Sequence, residues 1–160
     1  MEERYQGAGV LSLRQGDFSQ AIAVLERGLV LCCSRNLENW FYGLAAALGY
    51  AYALSGRLSE ALPLLEQVVE QDTAMRGGRS HLTWVIWQSE VYLLASRVEE
   101  ARRLALQALD CVRTRKERGN EAWTLRLLGE IAIQATPLEH RSSIVPRGDS
   151  MVEYRLLSTE

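Results

Sequence analysis

A phrase that recurs at 40-residue intervals is the feature that most restricts how this chain can fold. "GDFSQAIAVL" at positions 16–25 returns as "GRLSEALPLL" at 56–65 and as "SRVEEARRLA" at 96–105. Aligned at this period, the sequence has columns of one chemical type, and the clearest is a column of tiny residues formed by Gly9, Gly49, Ser89 and Gly129. A fixed period of this size indicates stacked supersecondary units that cannot bury their apolar faces alone.

Within each repeat the apolar residues have the spacing of helices. In "NWFYGLAAALGYAYAL" they fall on nearly every side, which is typical of a helix buried on several faces. Gly56 then supplies a left-handed residue past the helix end. Ser59 is the predicted N-cap of the next helix, as Ser19 is in the repeat before. Each repeat is therefore predicted to be two antiparallel helices, A and then B, joined by a tight turn.

No segment has the two-residue alternation or the β-branched enrichment of strands. The sequence therefore predicts an all-α fold of about three and a half helix-turn-helix repeats. The seven predicted helices span about 3–15, 18–33, 36–55, 58–74, 79–95, 98–117 and 120–135.

This pattern resembles the tetratricopeptide repeat (TPR), in which a tiny residue, a turn glycine and an alanine follow one another at fixed spacing. The residues that carry the resemblance are Gly16, Asp17, Phe18 and Ala21 of "LRQGDFSQAIAVLERGL", with Tyr52 and Tyr92 near the ends of A helices. The departures are a period of 40 residues instead of 34, and Cys33, Thr73 and Arg113 where the family has its closing proline.

The resemblance implies a right-handed α-α superhelix over residues 1–138. Repeats of this length resemble the regulatory TPR arrays of bacterial signalling proteins, such as multidomain nucleotide cyclases and ATPase-type transcription regulators. In the family, the A helices line a concave groove that binds a peptide or helix. The positions that correspond to the groove are Gln6, Val10, Ala46, Tyr50, Ile86, Glu90, Arg126 and Glu130.

Those positions imply a protein partner with apolar anchors and basic residues. The Lys and Asn set with which some family members clamp a chaperone's C-terminal carboxylate is absent, because Gln6 and Val10 stand in its place.

Large aromatic residues cluster at the starts of the A helices, and two interpretations are open for them. They could form a binding hot spot, or they could fill the space between the longer repeats. The residues are Trp40, Phe41, Tyr42, Trp84, Trp87 and Trp123.

Residues arranged for catalysis are not found. The two histidines, His81 and His140, have no partner at metal-ligand or triad spacing, and neither a phosphate loop nor a nucleophile elbow occurs. "GAG" at positions 7–9 lacks the third glycine and the preceding strand of a dinucleotide loop. We therefore expect no enzyme, no cofactor and no metal site.

Composition restricts partners and location. A net charge of −2 gives no electrostatic argument for nucleic acid. No apolar run approaches the roughly 20 residues that cross a bilayer, and the start of the chain does not resemble a signal peptide. Cys32, Cys33 and Cys111 are interpreted as buried free thiols in a reducing compartment, which predicts a cytoplasmic protein.

A fourth repeat begins with Gly129 in its column, but its B helix does not follow. The chain reads "TPLEHRSSIVPRGDSMVEYRLLSTE" instead. Residues 139–160 are therefore predicted to be an irregular tail, either a cap on the last helix or a segment foreign to the natural protein. An exposed solenoid end also makes a homodimer an expectation.

Three functions follow as hypotheses. The first is a non-catalytic module that binds a partner segment in the groove, and the second is a regulatory or sensor fragment of a larger bacterial signalling protein. The third, an enzyme with a site between repeats, lacks a convergent set of reactive residues.

Overall fold

The structure, a computed structural model, describes residues 2–35, 38–75 and 79–135, and these residues form seven α-helices. Each predicted helix is confirmed to within three residues at either end. The helices are α1 (Glu2–Gln15), α2 (Phe18–Arg35), α3 (Glu38–Leu54), α4 (Leu58–Met75), α5 (Arg79–Leu94), α6 (Val98–Thr114) and α7 (Arg118–Ala135).

Some predictions fall outside this part of the chain. The domain boundary at 138, the tail over 139–160 and His140 all lie outside the described residues.

The helices stack as a solenoid of repeats. Each complete repeat is an A helix against its own B helix: α1 on α2, α3 on α4 and α5 on α6. Each A helix after the first also contacts the B helix of the preceding repeat, and neighbouring A helices contact one another. This explains why α3 is apolar on nearly every side, since its residues 43–51 are buried throughout. The predicted all-α fold of stacked helix-turn-helix repeats is confirmed.

The column of tiny residues marks where A and B helices approach most closely. A Cβ atom added to Gly9 would lie 2.5 Å from Cγ of Leu25, and one added to Gly49 would lie 2.9 Å from Cγ of Leu65. Ser89 fits the same position because its hydroxyl donates to the carbonyl of Ala101 at 2.7 Å. The column is therefore small because the facing B helix occupies the space of a side chain.

The turn within each repeat has a residue with positive φ at the same column. Gly16 has φ +79° and Gly56 has φ +86°, and Ser96 adopts the same conformation at +60°. The N–H of the next residue returns to a carbonyl five positions earlier; that of Arg57, for example, donates to Tyr52 at 2.8 Å. This hydrogen bond satisfies a carbonyl at the end of helix A.

The predicted N-caps are wrong. Ser19 and Ser59 lie inside the first turns of α2 and α4, which begin at Phe18 and Leu58. In the first repeat the cap is Asp17, whose Oδ1 accepts the N–H of Gln20 at 3.0 Å. In the first repeat the capping position therefore lies two residues before the serine, immediately before the first residue of the helix.

The prediction that all three cysteines are core residues is also wrong. Cys32 is buried, whereas Cys33 and Cys111 are exposed. Neighbouring residues of a helix point about 100° apart, so Cys32 and Cys33 cannot both face the same core. In α6 it is Val112 that is buried, and Cys111 faces outward.

Successive repeats are also joined by a polar contact that recurs at the 40-residue period, which we call the junction hydrogen bond. The Tyr52 hydroxyl donates to Glu26 at 2.8 Å across the first junction, and the Tyr92 hydroxyl donates to Glu66 at 2.7 Å across the second. Arg97 strengthens the second junction, because its guanidinium contacts Glu66 at 3.0 Å.

The third junction has a different composition. Leu106 and Ala132 stand at the positions that correspond to the glutamate and the tyrosine, and Leu106 is exposed. Alanine and leucine side chains cannot form the junction hydrogen bond, so α7 joins α6 by apolar packing through residues such as Leu127, Leu128 and Ile131 and by the ion pair of Arg113 with Glu121 at 3.0 Å.

No helix in the described ranges has both the length and the apolar character required to cross a bilayer.

Candidate functional site

A cavity of about 610 Å³ opens among the four A helices. Every A helix contributes residues to it, so the cavity exists only because the repeats are stacked. The described residues that line it are Gln6, Val10, Leu13, Arg14, Tyr50, Leu54, Thr83, Trp84, Trp87, Gly119, Asn120 and Trp123.

Aromatic rings form one wall of the cavity. Tyr50 and Trp87 are stacked with ring centroids 5.0 Å apart and planes only 4° from parallel. Trp123 meets Tyr50 edge-on at 6.4 Å. These rings join α3, α5 and α7, so they pack the repeats together and also face the cavity. Packing between repeats is thus confirmed for Trp87 and Trp123, and a binding role for them stays a prediction.

The aromatic residues at the start of α3 pack against the core. Trp40, Phe41 and Tyr42 are half-buried against the core and do not line the cavity.

Glu90 connects three A helices at the edge of the cavity. Its Oε2 accepts the Tyr50 hydroxyl at 2.9 Å and the indole N–H of Trp123 at 3.3 Å, and its Oε1 accepts Arg126 at 3.0 Å. The Glu90 side chain is only 15% exposed. Arg126 also pairs with Glu130 one helical turn further along. A single carboxylate thus holds α3, α5 and α7 in register.

The pKa of the Tyr50 phenol lies above its ordinary value. Burial is the larger cause and the neighbouring Glu90 carboxylate is the next, because both penalise the negatively charged phenolate. Tyr92, at the second repeat junction, is affected in the same way: burial and then the hydrogen-bonded Glu66 raise its pKa to about 12.

These two pKa shifts predict a specific alkaline weakness. The folded state holds each phenolic proton more tightly than the unfolded chain, where the pKa is 10.0. The resulting stabilisation is complete below pH 10 and is lost as the pH rises towards 12. We expect the free energy of unfolding of the parent to fall across this window. The free energy of unfolding of the Tyr92→Phe variant should fall less steeply, because it lacks the Tyr92 phenol. Denaturant unfolding at several pH values measures this, and parallel declines would contradict it.

The predicted groove residues have three different environments. Gln6, Val10 and Tyr50 line the cavity. Ala46 and Ile86 are fully buried at 0% exposure, inside the packed core. The remaining three residues, which form the ion-pair network at the cavity edge, are Glu90, Arg126 and Glu130. As a partner-binding set, these residues stay a prediction.

The lining residues of α5 and α7 were missed because the repeats rotate. In α5 the cavity is lined by Thr83 and Trp87, three residues before the predicted Ile86 and Glu90. In α7, Trp123 lines the cavity three residues before Arg126. Each repeat of a solenoid is turned relative to the last, so a column read at constant period moves around the helix and away from the cavity. The aromatic residues at the starts of the A helices were the available signal.

Reactive groups do not converge in this cavity. Among the described lining residues Arg14 alone is charged. Within 2–35, 38–75 and 79–135, no three His, Cys, Asp or Glu side chains are grouped so that they could hold a metal ion. His81 lies in the first turn of α5.

The fold is the TPR-like α-α superhelix that the sequence predicts. It is similar to the crystal structure of nearly identical TPR-like repeats assigned to a kinesin light chain of Podosopora anserina, with a TM-score of 0.70 at 20% sequence identity. The match covers 82% of this chain and 65% of that one, so this chain corresponds to less than two thirds of the matched protein. No family model and no curated protein matches the sequence.

Proposed function

We propose that this chain is a non-catalytic interaction module that holds a segment of a partner protein in the cavity among its A helices. The observation that carries the proposal is the cavity itself, about 610 Å³ in volume and lined by residues of all four A helices. Recognition sites of this size are typically concave and apolar, with few polar groups to fix orientation.

The aromatic wall selects the kind of anchor. Tyr50, Trp87 and Trp123 present ring faces and edges that are already held in place by stacking and by Glu90. Such rigid aromatic surfaces bind aliphatic or aromatic side chains with little loss of conformational entropy. The partner segment therefore places one or two large apolar side chains in the cavity.

Charged residues on opposite sides of the cavity favour one orientation of the bound partner segment. Arg14 is exposed on the α1 side of the cavity, and Glu130, which pairs with Arg126 and does not line the cavity, is 44% exposed further along α7. Glu90 is less suited to a partner's cation because it already accepts three hydrogen bonds. A partner segment with an acidic residue near Arg14 and a basic residue near Glu130 would complement these charges. The basic partner residues that the sequence predicts are therefore expected at one end of the segment only.

The net charge of −2 favours a protein partner over nucleic acid in this proposal, and a cytoplasmic location goes with it. The same cavity also suits the hypothesis of a regulatory fragment, in which the bound segment reports to another part of a larger signalling protein. The two hypotheses differ in where the segment comes from, and the cavity is common to both.

A displayed library of random peptides, selected on the full chain, tests the proposal. We expect enriched peptides to share large apolar anchors flanked by one acid and one base. Binding should change the emission of Trp84, Trp87 and Trp123, which line the cavity. Val10→Arg and Asn120→Arg, at half-buried lining positions, should weaken binding about 10-fold or more by filling the cavity and desolvating a cation.

Gln67→Arg is the matched control, because Gln67 is exposed on a B helix and does not line the cavity. Peptides that bind the parent, the Val10→Arg variant and the control with equal affinity would place recognition elsewhere and contradict the proposal.

A further inference from the structure

Helix α7 carries an uncovered copy of the stripe that every other A helix buries. In the complete repeats, residues spaced by four along helix A pack against the B helix of the same repeat. These triplets are Tyr5, Gly9 and Leu13, then Ala45, Gly49 and Ala53, then Val85, Ser89 and Leu93, all buried except the half-buried Tyr5.

The corresponding residues of α7 are Leu125, Gly129 and Ile133, which we call the end stripe. Leu125 is 45% exposed and Ile133 is 54% exposed. A Cβ atom added to Gly129 would meet nothing within 4 Å, in contrast to the contacts below 3 Å at Gly9 and Gly49. The end stripe is thus an exposed apolar surface with the spacing that the other A helices use for close helix packing.

The chain that follows α7 does not have the sequence of a B helix in the same register. Thr136 stands at the positive-φ column, where a β-branched residue is strained. Pro137 stands where the N–H closes the turn and has no N–H to donate. Arg141 stands in the column of Ala21, Ala61 and Ala101, each of which is 0% exposed. Three positions therefore oppose continuation of the solenoid into this site.

The end stripe has instead the symmetry required for pairing with itself. Gly129 lies midway between Leu125 and Ile133. In an antiparallel pair of α7 helices that cross at Gly129, Leu125 of each copy lies opposite Ile133 of the other, as a two-fold interface requires. The glycine allows the two backbones to approach closely.

Charges along the same faces are compatible with this pairing. In the antiparallel register Arg126 lies opposite Ala132, and Glu130 lies opposite Leu128. No like charges face each other. From these observations we propose that the end stripe is the docking surface for a second copy of this chain, with the two α7 helices antiparallel and crossing at Gly129.

The pairing leaves the cavity open. Trp123 lies about 200° around the helix from Leu125, so the cavity and the end stripe are on different sides of α7. A pair of chains therefore displays two cavities at a fixed separation, which suits a partner that carries two copies of the bound segment. The pairing itself does not depend on the proposed peptide binding.

Sedimentation equilibrium on the full chain over a range of concentrations tests the proposal. A single helix pair is a small interface, so we expect a reversible, concentration-dependent dimer. Leu125→Glu and Ile133→Lys should each raise the dissociation constant about 100-fold, because each dimer then buries two unpaired charges. The double variant should recover much of the affinity, since Glu and Lys face each other only in the antiparallel register.

Leu106→Glu is the matched control, because Leu106 is also 46% exposed but lies on α6, away from the end stripe. Circular dichroism verifies that each variant keeps its helices. A chain that is monomeric at every concentration overturns the proposal, and so does a dimer that is unaffected by the single changes or a double variant without recovery. A monomeric parent in which Leu125→Glu exposes residues 136–160 to protease would instead assign the stripe to the chain's own tail.

Discussion

Leu65→Ala is expected to lower the free energy of unfolding by about 2–5 kcal/mol, the range for truncating a large residue in a rigid core. Leu65 is 0% exposed and occupies the space next to Gly49 in the second repeat. Gly49→Ala should also destabilise the fold, by about 1–3 kcal/mol, because its new methyl group would lie 2.9 Å from Cγ of Leu65 and 3.5 Å from the carbonyl oxygen of Ala61.

The double variant separates close packing from general damage. In Gly49→Ala with Leu65→Ala, the new methyl group enters the space that the leucine vacates, so the combined loss should be smaller than the sum of the two. Gly7→Ala is the control: Gly7 lies in α1 with nothing within 4 Å of an added Cβ, so this change should stabilise by up to about 1 kcal/mol. Denaturant unfolding at one protein concentration measures all four, and additive losses would contradict the close-packing argument.

Glu90→Ala is expected to cost about 3 kcal/mol, more than any other single charge removal among the ion pairs of the cavity edge. The change removes the acceptor of the Tyr50 hydroxyl, which belongs to a residue only 8% exposed, and of the Trp123 indole. A buried hydroxyl without an acceptor loses its hydration without recovering a hydrogen bond. Arg126, at 50% exposure, can be solvated and contributes less to the loss.

Glu130→Ala is the matched control for this prediction. It removes the other carboxylate that contacts Arg126, but from a position that is 44% exposed, so its cost should stay below about 1 kcal/mol. Glu90→Gln keeps an acceptor for Tyr50 and should have an intermediate effect. Thermal and denaturant unfolding measure the three variants, and equal losses for Glu90→Ala and Glu130→Ala would show that Glu90 does not connect the helices.

The helices could be predicted from the sequence because their signals are local or periodic. Gly16 and Gly56 end helices by their backbone freedom, and the tiny column marks the close approach of A and B helices. Ser96 continues the turn column because it adopts a positive φ without being a glycine. Ser89 continues the tiny column because its hydroxyl donates a hydrogen bond to the carbonyl of Ala101. Chemical type alone therefore predicts the columns only approximately.

The cavity was predicted less well because it depends on rotation between repeats. A constant period correctly places Gln6, Val10 and Tyr50 on the cavity wall in the first two repeats. The neighbouring column is already buried at Ala46 in the second repeat and again at Ile86 in the third, where Thr83 lines the cavity instead. The size of this rotation depends on how side chains interlock between repeats, which a single sequence does not reveal.

The ion-pair network had a partial signal in the sequence. Glu90 and Arg126 were predicted at the groove, but the convergence of Tyr50 and Trp123 on one carboxylate oxygen was not. That geometry joins residues 33 to 40 positions apart and depends on three helices at once.

The junction hydrogen bonds determine how an array of this kind can grow. The second repeat carries both halves of the bond: Tyr52 donates to Glu26 of the repeat before it, and Glu66 accepts from Tyr92 of the repeat after it. Tandem duplication of that repeat would regenerate a matched junction on each side of the inserted copy. The third repeat ends this series, because Leu106 replaces the glutamate that a following tyrosine would need. Evolution could therefore lengthen this array from its middle by whole 40-residue insertions, whereas repeats added after the third would lack the junction hydrogen bond.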